Sequence, residues 1–199
     1  MDNYSKIVQT NIEKIYSNLS PELQNNIIAE KEADKFIFNA FGQRCIVSPS
    51  GIQFEDSEEQ IIQQLLVSLY LLNANSQPCI IEPLKAFKDF PNSMPYVGAF
   101  STHTENILNT HTLTIEKSKQ KIIEKLNGKE SAQNTPGDFS FIVYPLPKIA
   151  LCYIFYHADE DFEASTKCLF SNNAVNFMPI DGLADVGEYT SKMILKLIK

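Results

Sequence analysis

Lys35-Phe36-Ile37-Phe38-Asn39-Ala40-Phe41-Gly42 continues through Gln43-Arg44-Cys45-Ile46-Val47 into Ser48-Pro49-Ser50-Gly51-Ile52-Gln53-Phe54. Apolar residues recur with period two here, and Gly42-Gln43 and Ser48-Pro49-Ser50-Gly51 interrupt them with turn chemistry. A first turn centred between 42 and 43 pairs Phe38 with Val47 and Ala40 with Cys45. A second centred between 49 and 50 pairs Val47 with Ile52 and Cys45 with Phe54. One face of the ribbon then carries Phe38, Ala40, Cys45, Val47, Ile52 and Phe54, all apolar, and the other carries Asn39, Arg44 and Gln53. That one-sidedness is the mark of a half-buried antiparallel sheet, because a one-residue slip would invert it.

Working outward, the same signature returns near the C-terminus. Phe139 to Tyr144, Ile149 to Tyr156 and Ser165 to Phe170 read as strands, with Pro145-Leu146-Pro147 between the first two. A hairpin centred on Glu160 sets Cys152 against Cys168, Ile154 against Thr166 and Ala150 against Phe170 on the face expected to be buried. Leu151 with Leu169, Tyr153 with Lys167 and His157 with Glu163 fall on the face expected to be partly wet. Ala174 to Phe177 adds a short strand.

Helices flank these strands. Val8, Ile12, Ile15 and Leu19 mark an amphipathic helix over residues 4–19. Ser20-Pro21 opens a second, running to about Lys31 with Leu23, Ile27 and Ile28 inward. Asp56-Ser57-Glu58-Glu59-Gln60 starts the most hydrophobic helix, on which Ile61, Ile62, Leu65, Leu66, Leu69 and Leu72 define a core face. Helical pattern also covers 101–109 and 114–127, and Gly128 to Gly137 is a polar loop. Pro179, Ile180 and Asp181 open a last helix with Leu183, Val186, Met193, Ile194 and Leu197 on one side. Residues 75–100 are broken by Pro78, Pro83, Pro91 and Pro95 yet rich in apolar side chains, so this segment wraps the core or lines a pocket.

The fold class is therefore α+β, an antiparallel meander sheet packed against helices. The 199 residues form a single domain, in which residues 1–31 are a helical N-terminal appendage. Hydrophobic residues at 44% and charged residues at 21% are globular values and exclude intrinsic disorder. Seventeen Lys and Arg against 24 Asp and Glu, a net charge of −7, argue against nucleic acid or an anionic membrane as partner. Lys117, Lys119, Lys121, Lys125 and Lys129 form one basic run, read as a solvated helix face. The longest apolar run, Ile149 to Tyr156, is too short to span a bilayer, and no signal-peptide core follows Met1. A cytoplasmic protein is expected.

Cys45, Cys79, Cys152 and Cys168 include no Cys-x-x-Cys, and His103, His111 and His157 are not spaced as zinc partners. Cys45, Cys152 and Cys168 sit in apolar stretches as small buried hydrophobes. No phosphate-binding loop, nucleophile elbow or zinc-protease motif is present, so no catalytic residue is assigned. The densest polar cluster is His157-Ala158-Asp159-Glu160-Asp161, followed by Phe162-Glu163. Such carboxylates hold a hard cation, Asp159 and Glu160 being the weak metal candidates, work as an acid–base pair if the tip folds into a pocket, or sit solvated at a turn.

The motifs Tyr144-Pro145-Leu146-Pro147-Lys148-Ile149, Asp159-Glu160-Asp161-Phe162, Leu169-Phe170 and Met178-Pro179-Ile180-Asp181-Gly182-Leu183, in that order, resemble an uncharacterised prokaryotic domain-of-unknown-function family. That family has a Pro-Leu-Pro-like strand start, an Asp-Glu-Glu-Phe-like turn and a Leu-Pro-x-Glu-Asp-Leu-like helix entry. Phe87-Lys88-Asp89-Phe90-Pro91 through Tyr96 and Phe100 is similar to its Phe-x-x-Leu-Pro segment. Ser20-Pro21-Glu22-Leu23 and Phe41-Gly42 fit its start. The likeness spans roughly residues 20–198. This chain departs from the pattern at Asp161, Ser171 and Tyr156, where the family tends to Glu, Asp and a nearby Trp. The resemblance implies no established activity. Some members carry a cysteine-rich iron–sulfur segment like that of corrinoid proteins, which points to anaerobic cofactor metabolism, and this sequence has no such cysteine cluster.

Two functions follow as expectations. In the first, Tyr96, Phe100, Glu160 and Phe162 bind a small molecule or a protein partner, making the chain an accessory module. In the second, Asp159, Glu160 and His157 serve a divalent-cation-dependent enzyme. The sequence identifies no cofactor and leaves the oligomeric state open, self-association included.

Overall fold

The computed structural model of the chain describes residues 3–55, 61–131 and 135–199. Helices α1 (Asn3–Ser17) and α2 (Leu23–Ile27) precede a four-stranded meander, β1 (Glu30–Glu32), β2 (Lys35–Ala40), β3 (Gln43–Ser48) and β4 (Gly51–Phe54), antiparallel in sequence order. Helix α3 (Ile61–Leu72) follows. Beyond the proline-rich segment come β5 (Lys85–Ala86), α4 (Val97–Phe100), a π-helical stretch (Ser101–Asn106), and α5 (Ile107–Asn109), α6 (Thr112–Lys117) and α7 (Lys119–Lys125). The second sheet completes with β6 (Lys129–Glu130), β7 (Phe139–Leu146), β8 (Ile149–Tyr156) and β9 (Ser165–Phe170), in the order β5-β9-β8-β7-β6, all antiparallel. Helix α8 (Ile180–Leu197) closes the chain. The fold class is the expected α+β. The expected helix start at Asp56–Gln60 lies outside the described residues.

The meander packs the face the alternation selects: Phe38, Ala40, Cys45, Val47, Ile52 and Phe54 are all buried, and Asn39, Arg44 and Gln53 are exposed. Its second turn has the expected register, with Val47 opposite Ile52 and Cys45 opposite Phe54. The first is displaced by two residues, so that Phe36 faces Val47 and Phe38 faces Cys45. The turn residues are Phe41 and Gly42, both at positive φ (52° and 74°), as a type I′ hairpin requires. Phe41 is drawn into that conformation by burial: its ring is fully enclosed, edge-on to Tyr189 of α8 at 5.0 Å. A shift of two leaves every side chain on its face.

The second hairpin is corrected more deeply. Leu151 pairs with Phe170, Cys152 with Leu169 and Tyr153 with Cys168, one residue from the expected register, so Cys152 and Cys168 lie on opposite faces of the sheet. The face expected to be partly wet is the inner one. Leu151, Tyr153 and Phe155 join Cys168 and Phe170 in the main core, and the Tyr153 hydroxyl shares a 3.0 Å hydrogen bond with Ser191 of α8. The other face is also covered. Ala150, Cys152, Ile154 and Ile142 are buried beneath Cys79, Ile81 and Leu84. A strand apolar on both faces carries no alternation that could set its register.

Smaller departures have local causes. The second helix ends at Ile27 rather than near Lys31, because Ile28 takes φ 57° and the chain enters edge strand β1. Ala174–Asn176 is a 3₁₀ turn rather than a strand. The expected appendage supplies Val8, Ile12, Ile15, Leu23 and Ile27 to the main core, and Asn11 donates to Ser68 of α3 at 3.0 Å. Three of the four outer strands, β1, β5 and β6, are two or three residues long and each carries a lysine, which discourages edge-to-edge pairing. In the basic run, Lys119 pairs with Glu130, Lys121 donates to the Leu197 carbonyl and Lys129 lies over the Tyr144 ring.

Candidate functional site

The proline-rich segment is stitched down by polar side chains. Asn173 accepts the Ile80 N–H at 2.9 Å and donates to the Pro78 carbonyl at 2.9 Å; Asn172 donates to the Pro83 carbonyl at 2.8 Å. Lys148, at the β7–β8 turn and only 4% exposed, donates to the carbonyls of Asn75 and Gln77, both at 2.8 Å, with its ammonium 5.4 Å from the Phe177 ring centre. Desolvation lowers its pKa. Ser171, where the resemblance would expect Asp, is fully buried and accepts the Ala150 N–H at 3.3 Å. These residues anchor a loop, and the segment chiefly wraps the core.

One part of it opens into a recess. The α4 helix runs into the π-helical stretch, whose wider turn brings residues five apart, Phe100 and Glu105, onto one side. Phe100 stacks on Phe87 (4.3 Å, 9° between planes) and leans on Phe170 at 5.6 Å. Its other edge fits against α8 where Gly187 leaves room: a Cβ there would lie 2.6 Å from Phe100 Cε2. Strand β5 pairs only with Leu169 and Phe170, which leaves the Cys168 N–H without a strand partner on that edge. Glu105 Oε1 accepts it at 3.1 Å. The same carboxylate, on a residue 9% exposed, accepts the Ser101 hydroxyl through Oε2 at 3.3 Å and sits 3.6 Å from Lys167 Nζ.

The result is a recess of about 300 Å³ floored by Phe87, Val97, Phe100 and Leu169. Ala86, Lys88, Ser101 and Lys167 form its rim, and Glu105 its polar wall. Among the described residues, four other hollows are lined by charged groups that are exposed or partly exposed. The groove between Tyr4, Ile62 and Tyr189 carries Asp185 and Glu188, neither of them buried. Another is lined by His111, Thr114, Leu195, Ile198 and Lys199.

Of the residues expected at a binding site, Phe100 lines the recess. Tyr96 stands on the exposed turn Met94–Tyr96 just before α4, and Glu160 and Phe162 are at the β8–β9 hairpin tip, Phe162 73% exposed. None of these three is a lining residue. Asp159 uses its Oδ1 to accept the N–H groups of Asp161 and Phe162 at 2.9 and 2.7 Å, an Asx turn. His157 directs its Nε2 to Glu116, 3.3 Å away. Among the described residues no group of three His, Cys, Asp or Glu is disposed to hold a metal ion. Glu105 and Lys167 are not marked by the sequence pattern, because they meet Phe87 and Phe100 only through the π-helical turn and the short β5. The one available signal is a glutamate inside an otherwise helical, Phe100-to-Leu108 apolar stripe.

A family model described as "Domain of unknown function (DUF3786)" matches residues 20–193. The chain belongs to that family. The match covers both sheets, the recess and most of α8, so this DUF3786 chain carries its candidate site within the family's own boundaries. No curated protein and no solved structure matches it. Among the described residues, no helix is long and apolar enough to cross a membrane.

Proposed function

We propose that this DUF3786 chain is a small-molecule-binding accessory module of the cytoplasm, and that its ligand sits in the recess over Phe87 and Phe100. The observation that carries the reading is Glu105. A nearly buried carboxylate is costly unless its partners are preset, and here a backbone N–H, a hydroxyl and a lysine supply them. The wall is therefore built before any ligand arrives, beside an apolar floor, as in preformed ligand sites. Nothing comparable supports the divalent-cation enzyme, whose Asp159 is spent on a turn and whose His157 faces Glu116. A protein partner is the less favoured occupant, since about 300 Å³ suits a single ring or short chain.

The test is a fragment screen read by amide chemical shifts. Perturbations are expected to gather on residues 86–88, 97–105 and 167–169, and to vanish in Val97→Trp, which fills the recess from a half-exposed position, with Tm held within about 3 °C. Shifts that map elsewhere, or that persist in the filled variant, overturn the reading.

A further inference from the structure

Resting on that reading, the geometry points to a ligand class: we infer that the recess takes an organic anion, a carboxylate on an apolar body the size of one aromatic ring or a short alkyl chain. The wall carboxylate is already committed. Glu105 Oε1 holds the Cys168 N–H, and Oε2 holds the Ser101 hydroxyl with Lys167 alongside. A cationic ligand would add its charge beside Lys88 and Lys167, which already outnumber the one carboxylate of the lining, and would so meet net repulsion. The lysines have capacity to spare. Lys167 Nζ lies 3.6 Å from Glu105, beyond hydrogen-bond distance, and its side chain is 58% exposed, so its donors are not used up by that carboxylate. Lys88, also at the recess, makes no ion pair among the described residues.

The molecule as a whole carries −7, which would favour a cation at long range. At physiological ionic strength the screening length is about 8 Å, so the two rim lysines outweigh distant carboxylates for a ligand seated in the recess. The apolar floor contributes binding for any probe with a ring, and the lysines decide among ring-bearing probes by charge. Acid and amine isosteres should therefore separate in the sense opposite to the net charge.

The experiment compares 4-phenylbutyrate, 4-phenylbutanol and 4-phenylbutylamine by amide-shift titration of the full chain at about pH 7 and 0.15 M salt. The acid is expected to bind at least about tenfold tighter than the amine, with the alcohol between them. In Lys88→Gln/Lys167→Gln, both at exposed positions, the acid should weaken to the alcohol's level while the alcohol is unchanged within about twofold. If the alcohol binds at the recess and the acid gains nothing over it, or the amine binds tighter, the ligand class is overturned and the binding reading stands. If none of the three perturbs residues 86–88, 97–105 or 167–169, the binding reading itself falls, and this inference with it.

Discussion

Gly42 lies in the β2–β3 turn, against the C-terminal end of α7. Its neighbour Phe41 donates its N–H to the Pro145 carbonyl of β7 at 2.6 Å, and a Cβ on Gly42 would collide with the Lys125 backbone carbonyl. With φ at 74° an L side chain is disfavoured on conformational grounds as well. Gly42→Ala should therefore cost more than the usual glycine exchange, about 2–4 kcal/mol once strain and steric terms combine, seen as a lowered urea midpoint at unchanged slope. A cost under about 0.5 kcal/mol would mean that the close approach relaxes freely. Gly187 makes a parallel case beside the recess. Gly187→Ala pushes on Phe100 Cε2, so the expected outcome is a loss of about 1–3 kcal/mol together with weakened binding of 4-phenylbutanol. Weakened stability with intact binding would show that Phe100 moves away from the recess rather than into it.

At the scale of elements, the β8–β9 register has a chemical readout. Cys152 and Cys168 sit on opposite faces, and with Cys45 they are buried, whereas Cys79 on the proline-rich segment is partly exposed. Burial pushes the Cys152 thiol up to about 12 and raises Cys79 as well. Native protein treated with a disulfide reagent should show one slowly reacting thiol, Cys79, and all four only after unfolding; oxidation should give no Cys152–Cys168 bridge. Lys148→Met removes the two donors that pin Asn75 and Gln77, worth about 1.5 kcal/mol for charged hydrogen bonds. The Cys79 reaction should then speed by about tenfold, and an unchanged rate would show that Asn172 and Asn173 hold the segment alone. These elements also show what was legible in the sequence. The meander's buried face could be read because Asn39, Arg44 and Gln53 mark its outside. The β8 register could not, because Ile149 to Tyr156 is apolar throughout and the β8–β9 connection is closed by an Asx turn at Asp159 rather than by a tight hairpin whose centre would set the parity. Phe100 was legible as an aromatic in a broken segment. Its companions Glu105 and Lys167 were not, since residues 62 positions apart meet only after β9 is edged by a two-residue strand.

For the whole molecule, the decisive property is how many titratable groups the core has taken in uncharged. Burial raises the thiols of Cys45, Cys79, Cys152 and Cys168 and the phenols of Tyr16, Tyr70, Tyr153 and Tyr189, with Cys152, Tyr16 and Tyr189 reaching about 12. An acid whose folded pKa lies above its unfolded one contributes its full stabilisation below the unfolded value and gives it up as pH climbs through the folded value. For these groups the unfolded values are 9.0 and 10.0, so the loss begins near pH 9 and continues to about 12. Lys148 acts in the opposite sense: its folded pKa is lowered below 10.5, so the charged form is disfavoured in the fold and stability grows as pH rises toward 10.5. One lysine cannot offset four thiols and four phenols, and each unbalanced proton changes stability by about 1.4 kcal/mol per pH unit. The urea midpoint should therefore fall steadily between about pH 9 and 11. Growing negative charge on a chain that already carries −7 would also destabilise it through self-repulsion, and salt separates the two causes. About 0.5 M sodium chloride screens repulsion between surface charges but leaves the desolvation of a buried thiolate or phenolate in place, so the decline should persist at high salt. A midpoint that is flat from pH 9 to 11, or a decline that salt abolishes, would mean that the core groups titrate in the folded state and that the interior is wetter than its packing describes.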